Sequence, residues 1–162
     1  MPSGQVYVKA VNWVYDTIKA AAEGATFSYV KKANVLLGGS SKPLQQRVPG
    51  VVVVLNLPDA IKESWQAMLK SRGATATITA QCYCHPADQA RPYGSDDGTK
   101  VGVLTMAQDV ANAVENAANG LRLGGNALSV DVTYGNVGVE GEGLYKIDVD
   151  FQATLRFDAG AR

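Results

Sequence analysis

The sequence predicts an α+β domain in which two main helices pack on one face of an antiparallel or mixed β-sheet. Residues 6–23 and 103–119 place apolar side chains at helical spacing. Residues 73–85, 127–137 and 145–157 alternate apolar and polar side chains, which is typical of strands with one buried and one polar face. Helices over a sheet with one polar face give a two-layer architecture.

Length and composition are those of one globular domain spanning residues 1–162, which is 46% hydrophobic and 19% charged. Fifteen basic and fifteen acidic residues cancel, so there is no electrostatic case for tight binding to nucleic acid or to an anionic membrane. The first residues lack a signal-peptide pattern, and no apolar stretch approaches about 20 residues. We therefore expect the chain to fold in the cytosol.

The first half of the chain begins with the amphipathic helix, which Gly24 is suited to end. Residues 25–37 predict one or two short strands, and residues 38–50 predict a long loop rich in glycine, serine and proline. The β-branched run at residues 51–57 is typical of a central strand buried on both faces.

A short helix or a helical loop is the prediction for residues 59–73. Ile61, Trp65, Met68 and Leu69 fall at helical spacing there. An alternating strand follows at residues 73–85, and then a second long polar loop at residues 86–100.

The last part of the chain predicts a helix and a hairpin. Thr105 and Gln108 fit a capping box if the helix begins at Thr105. In the strand at residues 127–137, Tyr134 is among the residues expected to point inward. The glycine-rich turn before residues 145–157 makes the last two strands an antiparallel hairpin.

The sequence contains no supported motif for binding a metal ion, a phosphate group or a nucleotide. Cys82, Cys84 and His85 are the only cysteines and the only histidine, too few for a zinc site. The two cysteines lie two apart on a strand, with Cα atoms about 6.6–7 Å apart, at or beyond the limit for a disulfide. Residues 94–100 do not have the residue spacing of a phosphate-binding loop. Residues 120–126 follow a helix, whereas a dinucleotide-binding motif follows a strand.

Asp148 and Asp150 are paired carboxylates on one face of the last strand. Acid–base catalysis needs environments that separate the pKa values of two such groups. Lys146 and Arg156 share that face, which favours a solvated ladder of alternating charges. We therefore expect no catalytic, metal-binding or cofactor-binding residues, and no cofactor.

The length of the last strand favours an assembled protein. About fourteen residues at about 3.3 Å each span roughly 46 Å, more than a compact domain of this size needs. A long polar sheet face together with projecting loops suits a subunit of a ring or tube.

The order of elements resembles that of phage tail terminator proteins over nearly the whole chain. The loop at residues 86–100 is larger than that pattern requires. The matching segments, in order, are "VNWVYDTIKAAAEG", "RVPGVVVVLNLPD", "GATATITAQCYC", "LTMAQDVANAVENA", "ALSVDVTYGNV" and "LYKIDVDFQATLRF".

This resemblance implies a non-enzymatic virion protein, assembled in the host cytoplasm, that forms a homo-oligomeric ring, usually of six subunits, at the head-proximal end of the tail. Such a ring stops polymerisation of the tail tube protein and contacts neck or head-completion proteins, while DNA passes through its lumen without specific binding. Another tail or neck component, such as a tube subunit or head–tail adaptor, and a small-molecule-binding α+β domain are the alternatives.

Candidate contact residues come from the sequence alone, in two sets. Exposed Arg and Tyr are common interface anchors, although ordinary solvated loop residues fit equally well here. The candidate interface residues in the two loops are Lys42, Gln45, Gln46, Arg47, Arg91 and Tyr93; the candidate lumen face is Lys146, Asp148, Asp150 and Arg156.

Overall fold

The fold is described from a computed structural model. The described residues are 6–38, 48–55, 60–66, 71–118, 122–123, 126–141 and 143–158. Lys42, Gln45, Gln46 and Arg47 lie outside this part of the chain.

Eight strands in the described residues form one mixed sheet, which confirms the predicted α+β class. The strand order is β1-β2-β4-β8-β6-β5, with β3 pairing β4 and β7 pairing β8. The β1–β2 pair is parallel and the other pairs are antiparallel. The strands are β1 Val35–Leu37, β2 Gly50–Leu55, β3 Ile61–Gln66, β4 Ser71–Cys84, β5 Arg122–Leu123, β6 Asn126–Tyr134, β7 Gly138–Val139 and β8 Tyr145–Asp158.

The two long central strands, β4 and β8, pair along their whole length. Each has 14 residues, and the register runs from Ser71 opposite Asp158 to Cys84 opposite Tyr145. Because residues directly opposite each other point to the same face, the period-two patterns of both strands reinforce one another. The apolar residues of β4 therefore share one face with those of β8.

Two helices, α1 (Val6–Ala21) and α2 (Val103–Ala118), cover that apolar face. Helix α1 packs toward β1 and β2, whereas α2 packs toward β8, β4 and β6. No helix in the described residues is both long and apolar enough to cross a membrane. The largest fully buried side chains of this core include Phe27, Phe151, Ile18, Ile78, Met106, Ile147 and Leu155.

The prediction of a short helix at residues 59–73 is wrong, because β3 occupies part of that segment and pairs antiparallel with β4. Ile61 and Trp65 fit a helical period of four, but they also fit alternation, and the extended β4 offers a free edge. Gly73 lies opposite Ser64, where an added Cβ would lie 3.3 Å from the Ser64 Oγ, so the two strands approach closely. Met68 and Leu69 lie outside the described residues.

Other boundaries differ by a few residues. Helix α1 ends at Ala21, and a 3₁₀ turn at Lys32–Asn34 occupies part of the segment predicted as strand, leaving only the short β1. The loop predicted at residues 38–50 ends earlier, because Gly50 already pairs with Tyr83. The hairpin prediction is confirmed, since β6 and β8 pair antiparallel.

Two assignments need correction, one of a helix cap and one of an inward-facing side chain. Helix α2 begins at Val103, so Thr105 lies in its first turn and accepts a 3.4 Å hydrogen bond from the Gly102 N–H. Tyr134 lies on the helix-covered side, opposite Val149, but it is 43% exposed because it stands at the outer edge of the sheet.

The alternation of β8 makes a direct prediction about stability. Replacing fully buried Phe151 by alanine is expected to lower the free energy of unfolding by about 3–5 kcal/mol, because a large cavity opens under the helices. The exposed neighbour Gln152 is the matched control, and Gln152→Ala should change it by less than about 0.5 kcal/mol. Equal effects of the two substitutions in urea unfolding would contradict the assignment of the faces.

Candidate functional site

The second face of the sheet carries polar side chains in rows that cross two or three strands, and we call it the polar face. In an antiparallel sheet, opposite residues on neighbouring strands form lateral contacts. The rows are Thr75–Thr154–Ser129, Thr77–Gln152–Asp131, Thr79–Asp150–Thr133, Gln81–Asp148 and Tyr83–Lys146.

Thr79 anchors the centre of the polar face. Its side chain is only 1% exposed, and its hydroxyl donates a 2.6 Å hydrogen bond to the Asp150 Oδ1. A hydrogen bond to a charged acceptor is stronger than one between neutral groups. Asp150 is therefore held against the sheet and is half-buried, so it differs from the freely solvated carboxylate that the sequence favoured.

Asp148 has a different partner. Its Oδ1 is buried without a hydrogen bond, but it lies 3.5 Å from the Lys146 Nζ. The same ammonium group lies 5.8 Å from the centroid of the Tyr83 ring, within range of a cation–π contact. Lys146 thus partly balances the charge of Asp148, and the two carboxylates of this strand have separate environments.

The remaining candidates of the sequence analysis fall in different places. Arg156 lies opposite Gly73 at the far end of β8, and its side chain is outside the described part. Arg91 and Tyr93 are both exposed in the 86–100 loop, with Tyr93 at 56%. The structure thus brings Lys146, Asp148 and Asp150 onto one surface and places the loop residues elsewhere.

The 86–100 loop, defined by residues 86–100, is a folded unit organised around Asp97. The Asp97 Oδ1 accepts hydrogen bonds from the Ser95 hydroxyl at 2.7 Å and from the Thr99 hydroxyl and N–H at 2.8 and 3.1 Å. These hydrogen bonds, with that from Ser95 the largest contribution, lower the pKa of Asp97 to about 2. Two surface ion pairs, Arg91–Asp96 at 3.5 Å and Lys100–Asp88 at 3.6 Å, also link side chains of the loop but add little energy.

Two glycines attach this loop to helix α2. A Cβ on Gly102 would lie 2.2 Å from the Gly94 nitrogen, so the two backbones touch at a distance that only glycine permits. Gly94 also has a φ of 121°. The Val103 and Thr105 N–H groups, which are free at a helix start, donate to carbonyl oxygens of the loop. Sequence reasoning missed this docking, because the close approach of Gly94 to Gly102 follows from no local pattern.

The cysteines and the histidine do not form a common site. Cys82 and Cys84 are free, buried thiols, and burial raises the pKa of Cys84 to about 11 and that of Cys82 further. His85 is exposed, and its Nδ1 lies 3.2 Å from the Gly143 carbonyl oxygen. In the part of the chain that the structure describes, no group of three or more His, Cys, Asp or Glu could hold a metal ion.

One partly buried polar contact ties the segment after α1 to α2. The Tyr29 hydroxyl donates a 2.6 Å hydrogen bond to the Asp109 Oδ2. Burial, followed by this bond and the charge of Asp109, raises the pKa of Tyr29 far above its ordinary value. The Tyr29 ring packs edge-on against Phe27 at 5.3 Å, so this contact belongs to the core.

The polar face generates a test of its central contact. Thr79→Val keeps the side-chain shape but leaves the Asp150 Oδ1 without its donor, so the free energy of unfolding should fall by about 1–3 kcal/mol. Thr77→Val is the matched control, because Thr77 lies on the same strand and face and is half-exposed. Urea unfolding that finds the two variants equally stable would show that the Thr79–Asp150 bond is not a structural anchor.

Comparison with known proteins finds a structural likeness. No family model and no curated protein matches this chain. Among solved structures, a chain of the virion of a native gene transfer agent (GTA) particle is similar, with a TM-score of 0.52 and 20% sequence identity. The likeness covers 92% of this chain and 94% of that chain, so the two share a fold along nearly their whole length.

Proposed function

We propose that this chain is a structural subunit of a phage-like virion and forms the ring that terminates the tail tube. The observation that carries this proposal is the fold shared with a virion chain over 92% of this chain and 94% of that one. Because the likeness extends over nearly the whole of both chains, it is not confined to a common fragment. The resemblance of the element order to tail terminators supplies the finer assignment.

The polar face supports a ring with a DNA-permeable lumen. The charged residues described on its three central strands are Lys146, Asp131, Asp148 and Asp150, so this surface is not basic. A lumen that DNA must traverse should not hold phosphates, since each Lys or Arg contact adds affinity by counterion release. The hydroxyl and amide side chains of the other rows offer neutral, hydrated contacts.

In this proposal the ring caps the head-proximal end of the tail and prevents further addition of tube protein. Its other surface contacts a neck or head-completion protein. The 86–100 loop, with Tyr93 exposed on a rigid support, is suited to one of these contacts. The role is non-enzymatic and uses no cofactor.

A tube subunit or head–tail adaptor is the second candidate, because the matched chain is described only as part of a virion. Copy number separates these roles. A terminator forms one ring in each tail, whereas a tube subunit polymerises into many stacked rings.

The decisive measurement is the mass of the purified chain by light scattering, together with negative-stain imaging. We expect a closed ring of about six times 17.1 kDa that does not grow with concentration. Growth into tubes would favour the tube subunit. A monomer at all concentrations would refute the ring.

The lumen assignment is tested by adding positive charge to exposed positions of the polar face. Gln152→Lys with Thr154→Lys should give the ring a salt-dependent affinity for linear duplex DNA, because both side chains are exposed there. Closed circular DNA should not be retained, since it cannot thread a closed ring.

The matched control places two lysines on the exposed side of α2, as Gln108→Lys with Asn112→Lys. This variant should bind linear and circular DNA alike. Equal binding of both DNA forms by the Gln152 and Thr154 variant in a gel-shift assay would place the polar face outside the lumen.

A further inference from the structure

A turn within the 86–100 loop places an aspartate directly before a glycine. Asp97–Gly98 is the only Asp–Gly pair in the sequence. Both residues are exposed. Apart from atoms of the neighbouring residues in the chain, no described atom lies within 4 Å of the position that a Cβ on Gly98 would occupy. The peptide group between the two residues is therefore open to solvent.

The turn uses a specific property of each of these two residues. Gly98 has a φ of 73°, which glycine adopts without strain. The Asp97 Oδ1 accepts three hydrogen bonds, from the Ser95 hydroxyl and from the hydroxyl and N–H of Thr99. The Ser95 N–H donates to the Lys100 carbonyl oxygen at 3.1 Å, and the Lys100 N–H donates to the Ser95 Oγ at 2.9 Å. The geometry of the turn therefore favours an Asp–Gly pair at this place.

An Asp–Gly pair is chemically labile, because glycine has no side chain to obstruct attack on the preceding carboxyl group. In this reaction the Gly98 nitrogen bonds to the Asp97 Cγ and closes a five-membered succinimide ring. The hydroxyl of the carboxyl group and the amide proton leave together as water. Water then opens the ring. Cleavage at the original main-chain carbonyl carbon gives isoaspartate, in which the main chain runs through Cγ and the total mass is unchanged.

The folded turn opposes both proton requirements of this attack. The carboxyl group must be protonated for its hydroxyl to leave. The hydrogen bonds to the Asp97 Oδ1, with that from Ser95 the largest contribution, lower its pKa to about 2 and keep it a carboxylate at neutral pH. The amide nitrogen must lose its proton, whereas the Gly98 N–H donates a 3.0 Å hydrogen bond to the Ser95 carbonyl oxygen. Ser95 therefore contacts both reacting groups.

We propose that Asp97–Gly98 is a modification site, where isoaspartate forms when the 86–100 loop opens and where the hydrogen bonds of Ser95 and Thr99 suppress this reaction while the loop is folded. Isomerisation lengthens the main chain by one carbon and moves the carboxylate away from its donors. The modified turn then cannot regain the same hydrogen bonds. The reaction consumes no reagent other than water, and it takes place within one chain whether or not that chain forms a ring.

The test compares the rate of isoaspartate formation in the folded and the unfolded full-length chain. Both samples are kept at neutral pH and the same temperature, one in buffer and one in guanidinium chloride. Isoaspartate at position 97 appears as a second chromatographic peak of unchanged mass for the peptide that contains it, and fragmentation mass spectrometry locates it. We expect the unfolded chain to react at least about tenfold faster. Equal rates would overturn the suppression, and an unfolded chain without isoaspartate at this position would overturn the site.

Ser95→Ala with Thr99→Val removes both hydroxyl donors, and this folded variant should form isoaspartate at least about fivefold faster than the folded unmodified chain. Arg91→Ala is the matched control, because it breaks the ion pair with Asp96 in the same loop and leaves the hydrogen bonds of Asp97 in place. It should react at the unmodified rate, and circular dichroism should show that both variants keep their fold. A double variant that reacts no faster than this control would overturn the protective role of the two hydroxyls.

Discussion

The fold depends on the full-length pairing of β4 with β8. Fourteen consecutive residue pairs fix which side chains share a face, so a slip of one residue would exchange the core and the polar face along both strands. Every other strand except β1 and β5 pairs with one of these two, and both helices pack on the face that they define. The alternating patterns of the two strands are consistent with each other, which makes this register strongly specified.

The same pairing explains why the polar face is not simply solvated. On a broad sheet, a central side chain is enclosed by its lateral neighbours, and Thr79 is accordingly buried although it faces away from the helices. Its hydroxyl needs an acceptor there, which Asp150 supplies from the adjacent strand. Lys146 stands beside Asp148 for a related reason, since a carboxylate oxygen shielded by neighbours is stabilised by a nearby positive charge.

Sequence patterns predicted the elements whose periodicity is long and unambiguous, namely both helices, β4, β6 and β8. They failed for β3, because Ile61 and Trp65 satisfy both periods, and the antiparallel pairing of β3 with the next strand along the chain, β4, decides between them. The charged face was predicted from Lys146, Asp148 and Asp150, but their separate partners depend on Tyr83 and Thr79 of another strand. The docking of Gly94 on Gly102 likewise depends on a close approach that no local pattern reveals.

In a ring of identical subunits, the surfaces that contact neighbours and the surface that lines the lumen must lie on different parts of each subunit. This sheet has separate surfaces of that kind. Head-to-tail contact needs two different surfaces at opposite ends of the subunit, and β1 and β5 stand at the two ends of the strand order. A lumen needs a third surface that faces away from both neighbours and from the exterior. In the proposed ring the central strands supply it, because β4 and β8 lie between the ends and present the polar face opposite the helices. In such a ring, contact between subunits and passage of DNA fall on different parts of one sheet.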